Sequence, residues 1–196
     1  DLIHYAIDLL NKNRFTVDDL AKKLGHVVGI IGLGNVSVDL SRRLIRAGKE
    51  VHIIYRRTLA ESPASRREIM EAVHEGVAIH ELFGPIAFRR KETKRMLDCQ
   101  RTCVIRDAET GRNRVEALEG ENVAFELDDL VFATGQISSG EVFDGSSIKL
   151  FRGEKDYLTS YPHVFVGGDF VNKEKRIVDA MVSGQTVATL IRNRIV

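Results

Sequence analysis

The spacing of apolar residues along the chain switches repeatedly between two periods, and the switches mark elements. Leu2, Ile3, Ala6, Ile7, Leu9 and Leu10 fall on one side of a helical wheel, so residues 1–13 are predicted as a helix. "TVDDLAKKLG" (16–25) predicts a second, shorter helix, with Thr16 as N-cap, Asp19 three residues on and Gly25 just past the end. The apolar run "HVVGII" (26–31) reads as a buried parallel strand. Residues 35–47 return to helical spacing and stop at Gly48, and "EVHIIYRR" (50–57) reads as a strand again. This is one strand–helix–strand unit of the usual size. "SPASRREIMEAVHEG" predicts the next helix, closed by Gly76, and "VAIHELF" (77–83) the next strand. The fixed handedness of such crossovers makes these three strands a parallel core.

From 86 to 128 the helical period disappears. "IAFRRKE", "RTCVIRD" and "NVAFELD" are short alternating runs separated by polar turns such as "AETGRN" (108–113), which predicts an antiparallel meander. "DDLVFATGQ" (128–136) and "HVFVGGDF" (163–170) read as buried strands, and "RIVDAMVSGQTVATLIRNR" (176–194) as a long helix. The expected fold class is therefore α/β: a Rossmann-like three-layer domain with a parallel sheet plus an antiparallel β-meander. The expected divisions are a helical lead-in (1–25), a nucleotide-binding domain (26–135) and a C-terminal segment (136–196).

Composition narrows the function classes. The 196 residues are 43% hydrophobic and 29% charged, which is ordinary for a globular chain with a real core. A formal net charge of +1 lacks the basic footprint of a nucleic-acid reader. No apolar run approaches the ~20 residues of a bilayer span, and "DLIHYAIDLLNKNR" has no signal-peptide pattern, so a cytoplasmic protein without membrane contact is expected. Cys99 and Cys103 are too few for a disulfide framework or a zinc site and read as ordinary thiols. His4, His26, His52, His74, His80 and His163 are scattered without metal spacing.

The chemistry-bearing stretch is "GIIGLGNVSVDLSRRL" (29–44). Gly32-Leu33-Gly34-Asn35-Val36-Ser37 is a G-x-G-x-x-S form of the dinucleotide turn, placed after a strand and at the start of a helix. Gly32 permits the tight turn, Gly34 lets a pyrophosphate approach the backbone, and Ser37 stands where close helix–strand packing needs a small residue. The following helix N-terminus supplies N–H groups and positive dipole to phosphates. The end of the second strand selects the nucleotide. An acid there would bind a ribose 2′-hydroxyl, but Tyr55 is followed by Arg56 and Arg57, which match a 2′-phosphate. The expected cofactor is NADP(H). Arg66 and Arg67, near the next helix start, are candidates to join the cluster.

A second motif lies in "TSYPHVFVGGDF": a strand ending in Gly168-Asp169, with Thr159 upstream. An Asp at the end of a buried strand needs a partner, which a flavin ribitol hydroxyl would supply. The helix from about Ile177 would then aim its N-terminus at the flavin.

With these pieces together the chain resembles the two-dinucleotide-binding flavoprotein oxidoreductases. Among them it is similar to the glutamate synthase small-subunit group, through "GLGNVSVD", "VHIIYRRTLAESPAS", "EAVHEGV", "DDLVFATGQ", "HVFVGGDF" and "IVDAMVSGQTVA". The resemblance implies hydride transfer from NADPH to FAD and onward electron transfer to an Fe–S protein or a larger synthase-type subunit. It implies that Gly32, Gly34, Asn35, Val36 and Ser37 line the pyrophosphate and that Arg56 and Arg57 take the 2′-phosphate. It implies that Ala133, Thr134 and Gly135 form a turn at the junction of two nucleotide domains. Gly168 and Asp169 would meet the ribitol, and Ile177 and Val178 the flavin edge. No side chain is named as catalytic, because the cofactors carry the chemistry. The chain departs from the family in having Ser at 37 and Leu at 59, and in lacking Fe–S cysteines and an upstream FAD turn. Only 31 residues precede Gly32, and the first is Asp1, so the sequence is expected to be the C-terminal part of such a protein: an NADPH-binding domain (26–135) flanked by the returning segment (136–196) of a second, FAD-type dinucleotide-binding domain, whose N-terminal half is absent or in a second chain.

Two other readings are weighed. "FTVDDLAKKLGHV" resembles the first helices of a helix-turn-helix, which would make a dinucleotide-sensing regulator. A strand follows where a recognition helix should be, and residues 1–25 balance four Lys or Arg against four Asp. A single-cofactor NADP-dependent dehydrogenase would need an acid–base group near the nicotinamide, and none stands at an obvious spacing.

Overall fold

The computed structural model describes residues 2–11, 15–91, 94–106, 113–135, 157–172 and 177–195. They fall into two compact units, 1–135 and 136–196. In unit 1 the elements run β1 (Ile3–Tyr5), α1 (Ala6–Leu10), α2 (Val17–Lys23), β2 (Val27–Ile31), α3 (Asn35–Arg46), β3 (Glu50–Tyr55), α4 (Arg66–His74) and β4 (Ala78–Glu81). There follow β5 (Phe83–Lys91), β6 (Lys94–Arg106), β7 (Asn113–Glu126) and β8 (Asp129–Phe132). Strands β1, β8, β2, β3 and β4, in that order, make a five-stranded sheet whose pairings are all parallel, and β5, β6 and β7 make an antiparallel meander.

The sheet separates two apolar layers, and strand periodicity decides which residue joins which. In β3, Val51 and Ile53 join Leu9, Leu20, Leu40, Leu44 and Ile69 of the helices. Ile54 faces the other way, with Ile31, Leu97, Cys99, Leu127 and Leu130 under the meander. Gly29 of β2 is part of that second layer: a Cβ there would lie 2.4 Å from Leu127 Cδ1, so the absence of a side chain admits the leucine.

Several sequence expectations are met. Thr16 and Asp19 form the capping box of α2, with Asp19 N–H donating to Thr16 Oγ1 (3.1 Å) and Thr16 N–H to Asp19 Oδ2 (2.8 Å). Others are corrected. The predicted helix over 1–13 begins instead as strand β1, paired parallel with β8 through Ile3↔Leu130, His4↔Val131 and Tyr5↔Phe132. Sheet pairing and the His4 Nε2–Asp129 Oδ1 contact (3.0 Å) override the helical spacing there. Gly25 follows an extended C-cap, Leu24, and its role is proximity: a Cβ would lie 2.3 Å from Asp128 Cβ. The turn predicted at 108–113 lies outside the described residues apart from Asn113.

Unit 2 is described over 157–172 and 177–195. The strand predicted at 163–170 is reduced to one isolated antiparallel bridge, Leu158↔Phe165, followed by a 3-10 turn at Gly168–Phe170. Residues 136–156, including Gln136 at the end of the stretch 128–136, lie outside the described residues. Helix α5 spans Ile177–Ile195. No helix among the described residues is long and apolar enough to cross a membrane.

Candidate functional site

The C-terminal ends of β2, β3 and β8 meet at one edge of unit 1, where the chain leaves β2 into α3. Gly32 N–H donates to Ile54 O (3.0 Å), and Ala133 N–H donates to Ile31 O (2.9 Å). The turn is therefore tied to the strand on each side. Gly32 has φ +106°, and a Cβ on it would lie 2.6 Å from the Ala133 carbonyl oxygen, so both conformation and space demand glycine. Ser37 is fully buried and its Oγ donates to Gly32 O (2.7 Å), closing the turn from inside the first helical turn. Ser62 Oγ donates to Leu33 O (2.6 Å) from the far side.

Gly34 behaves differently. It is the N-cap of α3 with an extended backbone, and a Cβ there would find only Pro63 Cγ, at 4.0 Å. The cap has no side-chain hydrogen bond and the first turn, from Asn35 through Val36, holds no acid. The first N–H groups of a helix have no intrahelical acceptor and sit at the positive dipole end. The arrangement is an open backbone cradle for an anion, and the residues present fit a nucleotide pyrophosphate.

Arg56 and Arg57 follow β3 directly. Arg56 is exposed, and its carbonyl accepts from Thr102 Oγ1 (2.9 Å) of the meander. Arg57 is half-buried, with Nη1 3.6 Å from Glu61 Oε1. Thr58 and Glu61 cap the 3-10 turn Leu59–Glu61 reciprocally, and Glu81 Oε2 accepts from Leu59 N–H (2.6 Å). Burial pushes the Tyr55 hydroxyl pKa up, and that hydroxyl donates to Glu61 O (3.2 Å). Arg66 is exposed at the first residue of α4, while its neighbour Arg67 is taken by Glu71 (3.0 Å). Thr134 and Gly135 are exposed beyond β8, Gly135 at φ +101° with open space around its Cα.

In unit 2, Gly168 has φ +67°, and its N–H donates to Ser183 Oγ (2.8 Å) of α5. Asp169 is exposed in the 3-10 turn. The premise that a buried strand end leaves this carboxylate in need of a ligand is therefore corrected: water reaches it. Ile177 and Val178 are exposed in the first turn of α5.

Sequence reasoning missed four residues that shape this region: Glu61, Ser62, Pro63 and Asn113. The pattern T-x-x-E at Thr58–Glu61 is a capping-box signal and marked the first of them. Asn113, which donates to Glu61 Oε1 (2.8 Å), comes from a strand 52 residues away and left no local trace.

A parallel sheet with a glycine turn at the head of a helix, a cation pair at the next strand end and a meander on the opposite face defines a dinucleotide-binding class of α/β unit. Solved structures share the fold. FprA of Mycobacterium tuberculosis, solved with NADPH, superposes with a TM-score of 0.72 at 16% identity, over 97% of this chain and 58% of that one. Thioredoxin reductase of T. acidophilum gives 0.66 at 16% identity, over 100% and 58%. The chain belongs to the pyridine nucleotide-disulphide oxidoreductase family, whose profile matches residues 8–185. Among curated relatives, the NADP(+)-dependent formate dehydrogenase subunit beta of Moorella thermoacetica is 35% identical over 85% of this chain and 25% of its own length. The glutamate synthase [NADPH] small chain of Halomonas elongata is 29% identical over 93% of this chain and 43% of its own. The chain thus spans less than half the length of these curated relatives.

Proposed function

We propose that unit 1 is the NADP(H)-binding module of a flavin-dependent oxidoreductase. The observation that carries this reading is the Gly32–Gly34 cradle at the N-terminus of α3, with Arg56 and Arg57 rather than an acid after the neighbouring strand. When bound, NADPH supplies a hydride and FAD accepts it. This chain's residues hold and orient. Gly32 fixes the turn, and Gly34 keeps the cradle open. The backbone N–H groups of Asn35, Val36 and Ser37 would hold the pyrophosphate, while the Ser37 hydroxyl points inward to Gly32. Arg56 and Arg57 would answer the 2′-phosphate, and Arg66, exposed at the start of α4, is a further candidate. Thr134 and Gly135 extend the same edge from β8.

Unit 2 supplies one side of the flavin site: the Gly168–Asp169 turn and the exposed Ile177–Val178 end of α5. The opposite side would be a second dinucleotide turn, which this sequence does not contain. The greater length of the curated relatives leaves room for one, in a longer chain or in a second one. The electron acceptor in this reading is an Fe–S protein or a larger synthase-type subunit. The names of two relatives, a formate dehydrogenase subunit and a glutamate synthase small chain, support a multi-subunit setting.

Calorimetric titration with NADPH and NADH tests the reading. NADPH binding at least about tenfold tighter than NADH, with Arg56→Ala removing most of the difference, is the expected result. Equal binding would leave the cradle standing and refute the 2′-phosphate assignment. No binding of either nucleotide would refute the module itself.

A further inference from the structure

The two arginines after β3 are not electrostatically equivalent. Arg56 is exposed and has no ion-pair partner among the described residues. Arg57 faces a carboxylate that is held from several directions. Glu61 Oε2 accepts from Thr58 N–H (3.4 Å) and Thr58 Oγ1 (3.2 Å). Its Oε1 accepts from Asn113 Nδ2 (2.8 Å) and lies 3.6 Å from Arg57 Nη1. The Glu61 side chain is 15% exposed, against 34% for Arg57.

We propose that Glu61 is a specificity-determining residue: a fixed carboxylate that half-neutralises the arginine pair and so limits its preference for a 2′-phosphate over a 2′-hydroxyl. The inference rests on the NADP(H) reading above. Burial by itself would raise the Glu61 carboxyl pKa. The hydrogen bonds from Asn113 and Thr58 and the charge of Arg57 outweigh it and hold the group below the ordinary carboxylate value, so it is anionic at neutral pH. An arriving phosphate cannot displace this carboxylate without undoing the capping box of the 58–61 turn. Arg57 must therefore be shared. A guanidinium has enough N–H groups to hold Glu61 along one edge and face a phosphate along another. Its attraction for the dianion is still offset by the carboxylate beside it. Arg56, Arg57 and Glu61 together carry +1, where the arginines alone would carry +2. Asn113 opens β7, so the meander takes part in fixing the carboxylate.

The test is calorimetric affinity for NADPH and NADH in the wild type, E61Q and the R57A/E61Q double variant. Glutamine keeps the size and can still accept from Thr58. E61Q is expected to tighten NADPH about fivefold and to move NADH by less than about twofold, the size of one unit charge acting on a dianion across several ångströms of wet surface. The double variant, which restores the +1 of the trio and leaves neither charge unpaired, is expected to bind NADPH within about twofold of the wild type. It carries the test should E61Q alone not fold, and a loss beyond about tenfold would then overturn the proposal. E61Q that binds NADPH unchanged or more weakly, or that tightens both nucleotides equally, overturns it as well. These outcomes are read only where the wild type prefers NADPH. A wild type that binds both nucleotides equally refutes the 2′-phosphate reading itself.

Discussion

Helices α3 and α5 carry the same kinds of apolar residue and place them oppositely. In α3, Val38, Leu40 and Leu44 are at most 1% exposed, packed among the strands and helices of unit 1. In α5, Ile177 is 82% exposed and Met181 62%. Ser183 of α5, by contrast, is buried and takes the N–H of Gly168. The difference teaches where the rigidity of each candidate site comes from. The Gly32 turn is anchored to a core closed by unit 1's own residues. Among the described residues, the Gly168 turn is tied to α5, whose Ile177, Val178, Met181 and Val182 face solvent, the kind of surface that marks an interaction face.

The comparison breaks most visibly if the α3 core is removed. Leu44→Ala is expected to cost about 3–5 kcal/mol, because the side chain is fully buried and its neighbours belong to a closed layer. Thermal or urea unfolding reads this directly. A loss below about 1 kcal/mol would mean that this layer is not the close-packed one described.

The next effect separates the two glycines of the cradle. Gly32→Ala meets the Ala133 carbonyl at 2.6 Å in a positive-φ position, so it should destabilise the fold by about 2–3 kcal/mol and abolish nucleotide binding with it. Gly34→Ala meets nothing closer than 4.0 Å and has an extended backbone, so stability should change by less than about 1 kcal/mol. Its added methyl occupies the open side of the cradle, so NADPH affinity should fall even though the melting temperature barely moves. Equal melting temperatures for the two variants would show that the turn is not fixed against β8.

The same contrast explains what could be read from the sequence. The apolar run in "HVVGII", the strand-like "EVHIIY" and the glycines at 32 and 34 are local signals, and local signals located the parallel core and the strand-to-helix turn. "HVFVGGDF" carries an equally apolar pattern, yet it gives only a single bridge and a 3-10 turn. An apolar run states that burial is wanted, not which strand will supply the pairing. The opposite error occurred at Ile3–Tyr5, where residues spaced for a helix were recruited by the edge of β8. Glu61 has a local signal in the T-x-x-E spacing from Thr58, but its meeting with Asn113 joins the loop after β3 to the meander, a contact with no periodicity to betray it.

A smaller effect distinguishes the two faces of the sheet by pH. On the meander side, His52 and His80 stack with ring centroids 5.2 Å apart and Nδ1–Nε2 2.9 Å apart. Glu50 holds the far nitrogen of His52 (2.9 Å), and Phe125 packs on His80 (4.7 Å). Burial, and then the charge of His52, lowers the His80 pKa below its ordinary 6.5. The unfolded chain therefore takes up this proton first. As pH falls through 6.5 the folded state loses stability relative to the unfolded one, and above 6.5 this histidine has no effect. His80→Gln should flatten the stability–pH curve below pH 6.5, by less than either the Leu44 or the Gly32 substitution changes stability. An unchanged slope would assign the acid sensitivity to other groups.

The smallest expected effect lies on α5, and it sharpens the comparison because it is small. Met181→Ala removes a side chain that is 62% exposed, so unfolding of the chain should shift by less than about 0.5 kcal/mol. The same substitution in a longer protein, where further chain packs on that stripe, should cost as much as a core truncation, about 2–4 kcal/mol. The two measurements together decide what the stripe is for. A small loss in both settings makes it ordinary exposed surface. A small loss here and a large one there makes α5 one half of an interface, and places the rigidity of the Gly168 turn in the contact that completes it.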